Sequence, residues 1–135
     1  MQIPISGNHF DKVDEATPDD FSTYVYNSYA AGTDLYGLTN HSTETGTIHY
    51  VRLYTRIGLT PLAVKGVIKI GGTIYHGTQH TAGLWQTFSD QWNKNPQTGQ
   101  AWTWGNIDNL QAGILLSVNG TCTQVYVEVN YTPSP

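Results

Sequence analysis

Apolar and polar positions alternate in short runs along this chain, and sustained 3.6-residue periodicity is nearly absent. The clearest run is TCTQVYVEVNY (Thr121–Tyr131). Val125, Val127, Val129 and Tyr131 fall on its inward face, and Gln124, Tyr126, Glu128 and Asn130 on its outward face. In LAVKGVIKIGG, Leu62, Val64, Ile68 and Ile70 share one face against Lys65 and Lys69 on the other. Gly71-Gly72 then predicts a hairpin turn into TIYHG. Further strands are predicted over Phe21–Asn27, Asp34–Leu38, Thr47–Gly58, Leu84–Trp92 and Ala112–Val118, with turns at Gly32 and at Asn119-Gly120. Roughly eight strands, punctuated by turns about every 8–12 residues, predict an antiparallel β-sandwich or barrel.

The longest interruption is WNKNPQTGQAWTWGNIDNLQAG (Trp92–Gly113), which carries Trp92, Trp102 and Trp104, three of the 4 tryptophans. Within it NPQTG is turn chemistry: Asn95 and Pro96 initiate, and Gly99 supplies a positive φ. One short helix is predicted, N-capped by Thr103, with Ile107 and Leu110 as its apolar stripe, Asp108 in its first turns and Gly113 at its end. The tryptophans admit two readings. Trp92, Trp102 or Trp104 forms a flat platform for sugar rings, with Asn93, Asn95 and Gln97 bonding hydroxyls. Alternatively they brace the open end of the sandwich, with indole N–H groups reaching loop carbonyls.

Composition narrows the function. The 135 residues suit one domain, and charged residues make up only 12%, about half the usual share. Net charge is −4, with lysine and arginine scattered singly. A nucleic-acid partner is not expected, because displacing condensed counterions from phosphate takes clustered cations. No run approaches the roughly 18 apolar residues of a membrane span. MQIPISGNHF has neither the cationic start nor the apolar stretch of a signal peptide. The lone Cys122 excludes an internal disulfide; it falls on the outward phase of the last strand, with no base nearby to make it a catalytic thiol.

Candidate chemistry is sparse. DKVDEATPDD (Asp11–Asp20) groups hard oxygen ligands, so Asp14, Asp19 and Asp20, with Glu128 from the last strand, form a candidate Ca²⁺ site. The spacing is not that of an EF-hand, and a solvated acidic turn before the first core strand is the favoured reading. His76 and His80 have the i, i+4 spacing of a zinc pair, but that geometry needs a helix and Gly77 sits between them. Nucleophile elbow, phosphate loop, zincin and dinucleotide signatures are all missing. The expectation is a non-enzyme with no cofactor other than Ca²⁺.

The runs HFDKVDE, PDDFSTYV, TDLYGL, GTIHYVRLYTR, WNKNPQTGQAWTWGNIDNLQAGI and TQVYVEVNY together resemble a jelly-roll β-sandwich module. Such modules recur in viral structural proteins of bacteria and archaea and in large prokaryotic surface proteins. The likeness spans His9 to Tyr131 and implies an all-β, antiparallel jelly-roll sandwich with one short helix in the long loop. It carries over no functional residue. The organisation expected is an arm or edge strand over residues 1–8, the sandwich over 9–131 and a tail over 132–135.

The function expected is a structural, self-associating subunit, a homo-oligomer or a partner of other virion or surface proteins. A virion or extracellular assembly is then its location. Gln2, Ile3, Pro4 and Ile5 are the candidate assembly residues, as a strand reaching a neighbouring subunit. The alternative is a carbohydrate-binding or adhesion module, with glycans stacked on Trp92, Trp102 and Trp104.

Overall fold

The computed structural model describes residues 3–4, 25–26, 32–37, 44–58, 64–80, 85–116 and 121–135. Among them nine strands and one helix run in chain order. They are β1 (Ile3–Pro4), β2 (Val25–Tyr26), β3 (Gly32–Gly37), β4 (Gly46–Gly58), β5 (Val64–Ile70), β6 (Thr73–His80), β7 (Gln86–Trp92), α1 (Trp104–Asp108), β8 (Gln111–Leu116) and β9 (Thr121–Pro133). The first two are fragments of two residues each.

Two antiparallel sheets result, ordered β1-β2-β9-β4-β7 and β3-β8-β5-β6. The pairing has a simple logic. At the centre of the sequence, β5 and β6 make a hairpin. Outward from it, β4 pairs with β7, β3 with β8 and β2 with β9. The chain is therefore one long nested hairpin, rolled so that β4 also meets β9 and β5 also meets β8. That is the jelly roll, and rolling leaves only short outer edges to protect. At the hairpin tip Gly71 and Gly72 take φ of 54° and 89°. Positive φ at both central residues matches the right-handed twist of the strands it joins.

Strict alternation builds the core. On β4, Val51, Leu53, Thr55 and Ile57 point inward and are fully or almost fully buried. They face Val64, Ile68 and Ile70 of β5 and Ala112, Ile114 and Leu116 of β8. Burying a Leu or Ile side chain completely contributes roughly 1.5–3 kcal/mol, so this interlayer is the main source of stability.

Four expectations need correction. Gly32 is no turn; it opens β3 opposite Leu116. The helix ends at Asp108, so Asp108 lies in its last turn rather than its first, and Gly113 lies in β8 between Leu35 and Val67. The helix stops early because Asn109 and Leu110 both turn their N–H groups back to the Ile107 carbonyl. Gln111 is then already paired between Gly37 and Lys69. Cys122 is wholly buried, not outward. Its strand carries a bulge, with Arg56 opposite Gln124 but Ile57 opposite Cys122, so Thr123 is the extra residue and reverses the phase. The thiol packs with Ile57, Val64, Ile114 and Leu116. The Phe21–Asn27 strand is described only at Val25–Tyr26, and the Asn119-Gly120 turn lies outside the described residues.

Candidate functional site

Two places gather polar chemistry. The first is the outer face of the β9-β4-β7 layer. Because Val51, Leu53 and Ile57 point inward, the intervening Tyr50, Arg52, Tyr54 and Arg56 must point out. Register then sets Tyr54 opposite Tyr126, and Arg52 opposite Glu128 on one side and Gln91 on the other. The Tyr54 and Tyr126 rings stack with centroids 4.6 Å apart and planes 11° from parallel. That separation matches the spacing of neighbouring strands, so the rings stand upright on the sheet and each covers one face of the other.

Arg52 ties the face together. Its guanidinium lies 4.8 Å from the Tyr50 ring centroid. It donates to the Tyr54 hydroxyl at 3.2 Å and, through Nε, to Gln91 Oε1 at 3.0 Å. Nη2 donates to the same Gln91 oxygen. Glu128 stands 3.7 Å away. The hydrogen bond to Tyr54 raises the Arg52 pKa further above its ordinary value. Tyr126 is raised too, first by desolvation, then by Tyr54 and Glu128. Both groups therefore keep their ordinary charge states at neutral pH, giving a fixed cation among neutral phenols and one carboxylate.

The second place is a groove of about 330 Å³ between the free edges of β6 and β7, lined by His76, Gly77, Thr78, Asp90, Gln91 and Trp92. Its central feature is Asp90, which pairs with inward-facing Leu53 and so points into the sandwich between Phe88 and Trp92. Only 7% of the residue is exposed. An isolated buried carboxylate is costly, and the opposite sheet answers it. Lys65 pairs with Gln79 but Val67 with His76, so Gly77 and Thr78 together oppose Gly66. At this bulge the Thr78 N–H donates to Asp90 Oδ1 at 2.9 Å. His80 Nε2 lies 3.2 and 3.3 Å from the two carboxylate oxygens, and the His80 ring stacks on Phe88. Glycine is required on both walls: a Cβ at Gly77 would come 2.4 Å from Asp90 Cγ, and one at Gly66 2.8 Å from Asp90 Oδ2.

The bulge also disposes of the zinc pair. Although four residues apart, His76 opposes Val67 and His80 opposes Val64, residues of opposite phase on β5, so the imidazoles leave opposite faces.

The tryptophan loop is bracing. Trp102, offered as a sugar platform, is 4% exposed; its ring joins the core and its Nε1 donates to the Trp92 carbonyl at 2.9 Å. Trp104 is half-buried, donates to the Gly46 carbonyl at 3.1 Å and meets Tyr131 edge to face. Trp92 is half-buried against the same core. The turn forms as the sequence requires, with Asn95 Oδ1 accepting from Gln97 N–H and the Asn95 carbonyl from Gly99 N–H. Gln97 then reaches across to the Ile70 carbonyl beside the hairpin tip.

Of the candidate Ca²⁺ ligands, Asp14, Asp19 and Asp20 lie outside the described residues, while Glu128 stands beside Arg52. Among the described residues no group of three or more His, Cys, Asp or Glu converges as a metal site would require. Ile3–Pro4 pairs with β2 of its own chain as an edge strand; Gln2 and Ile5 lie outside the described residues. Compared with protein-family models and with curated proteins, the sequence matches none.

Sequence reasoning passed over both the face and the groove. The outward set Tyr50, Arg52, Tyr54 and Arg56 was visible in the β4 alternation. The Asp90 cradle left a fainter mark: a charged residue in phase with Phe88 and Trp92, and glycines inside two strands.

Proposed function

We propose that the protein is a non-enzymatic, self-associating jelly-roll subunit of a virion or extracellular assembly, and that the outer face of β9-β4-β7 is its contact with a second copy. The single observation carrying this reading is the upright Tyr54–Tyr126 stack locked to Arg52. Tyrosine and arginine dominate the energetics of protein interfaces, and here they are held rigid on the most extensively paired strands. Tyr126, 43% exposed, has apolar surface left to bury. Arg52 and Glu128 carry opposite charges on adjacent strands, so a two-fold copy could exchange them reciprocally.

The test is sedimentation analysis of charge-reversed variants. Arg52→Glu and Glu128→Arg should each weaken association at least about tenfold. An equimolar mixture of the two should restore it, because each mutant charge then meets its complement on the partner. Pairing within one chain cannot produce that rescue. Wild-type protein that sediments as a monomer at all concentrations rejects the reading.

A further inference from the structure

The β6–β7 groove lies apart from this face and has its own chemistry. Among the described residues that line it, Asp90 is the only carboxylate, and neither lysine nor arginine is present. The Gln91 amide is turned to the outer face, where it bonds Arg52 and Asn93, so within the groove the acid dominates. Thr78 N–H and His80 Nε2 are its hydrogen-bond partners. A carboxylate has about four acceptor positions, and these two donors leave some of them open. Asp90 is therefore a nearly buried anion with acceptor capacity to spare, at a groove whose roughly 330 Å³ is near the lower end for small-ligand sites. The bulge and the two glycines hold it rigidly, as a counter-ion should be held.

We propose that the β6–β7 groove binds a primary ammonium group, with Asp90 as its counter-ion. An ammonium brings three donors and a positive charge to the nearly buried carboxylate. The same chemistry arrives from two sources, a lysine side chain on a protein or an amino sugar of a glycan.

Amide NMR shifts of Gly77 and Thr78 provide the readout, with N-acetyl-lysine methylamide, glucosamine and glucose as the three probes. Saturable millimolar binding is expected for the amines and not for glucose, weakening severalfold as salt is raised. Binding of the lysine mimic over glucosamine identifies a protein source, and the reverse a glycan. Asp90→Asn, which keeps the shape of the cradle, should weaken binding about tenfold or more. Tyr126→Ala, on the assembly face and two strands away from β7, should leave it unchanged, so failure of the assembly reading and failure of this one are separable. Equal response to glucose and glucosamine, or no saturable shift with either amine, overturns the proposal. Should the Asn variant not fold, the glucosamine-to-glucose comparison and the salt dependence on the wild type decide alone.

Discussion

Gly77 shows how far one missing methyl group reaches. The Gly77→Ala Cβ would sit 2.4 Å from Asp90 Cγ, so either the carboxylate or the bulge must move. The expected cost is about 1–3 kcal/mol, read as a lower urea midpoint with unchanged slope. Asn at position 90 should be milder, since its carbonyl still accepts from Thr78. Trp102→Ala should cost more, about 3–5 kcal/mol, because it empties a core site and abandons the bond to the Trp92 carbonyl. Tyr126 gives a titration with a definite sign. Its pKa is raised in the fold, so its neutral form is favoured there. The associated stability is complete below the ordinary tyrosine range and is lost as pH climbs through the raised value. Ultraviolet titration should lose a late-ionising component in Tyr126→Phe.

At the scale of elements, alternation was enough to read most of β5 and β9, because one face of each meets the core, although Val67 on the lysine face of β5 is buried too. It failed wherever a bulge inserts a residue. Cys122 changed sides through Thr123, and His76 and His80 parted through Gly77-Thr78; nothing in the local residue types marks the slip, since a bulge is fixed by the partner strand. Register was equally silent, so the meeting of Tyr54 with Tyr126 could not be foreseen although both were outward in the pattern. The short helix shows the opposite case. Thr103 was legible as its cap, and the capping box with Asn106 is present, Thr103 Oγ1 accepting from Asn106 N–H and Asn106 Oδ1 from Thr103 N–H. Thr103→Ala should therefore cost about 1 kcal/mol, measurable by chemical denaturation, and speed amide exchange in α1 before any other element.

For the whole molecule, two devices set which surfaces are open for business with a neighbour. The inward charge of Asp90 and the bulge opposite it blunt the β6 and β7 edges, a known defence against edge-to-edge pairing. The contact proposed above lies elsewhere, on the outer β9-β4-β7 layer. Deleting residues 1–8 distinguishes this from an exchanged arm: particle size by light scattering should stay the same if the face drives association, and should collapse to that of a monomer if the arm does.

The nested pairing around Gly71-Gly72 also fixes a timetable. Each successive partnership outward from that tip joins residues farther apart, from Ile70 with Thr73 to Val25 with Cys122. During synthesis β4 finds β7 once Trp92 is made, yet its other flank waits for β9, which begins only at Thr121. Until then a long, apolar ribbon lies open to any passing chain. Closure of long loops makes such topologies slow, on the order of milliseconds to seconds, so crowding at the ribosome, rather than the finished particle, is where this sequence runs its greatest hazard.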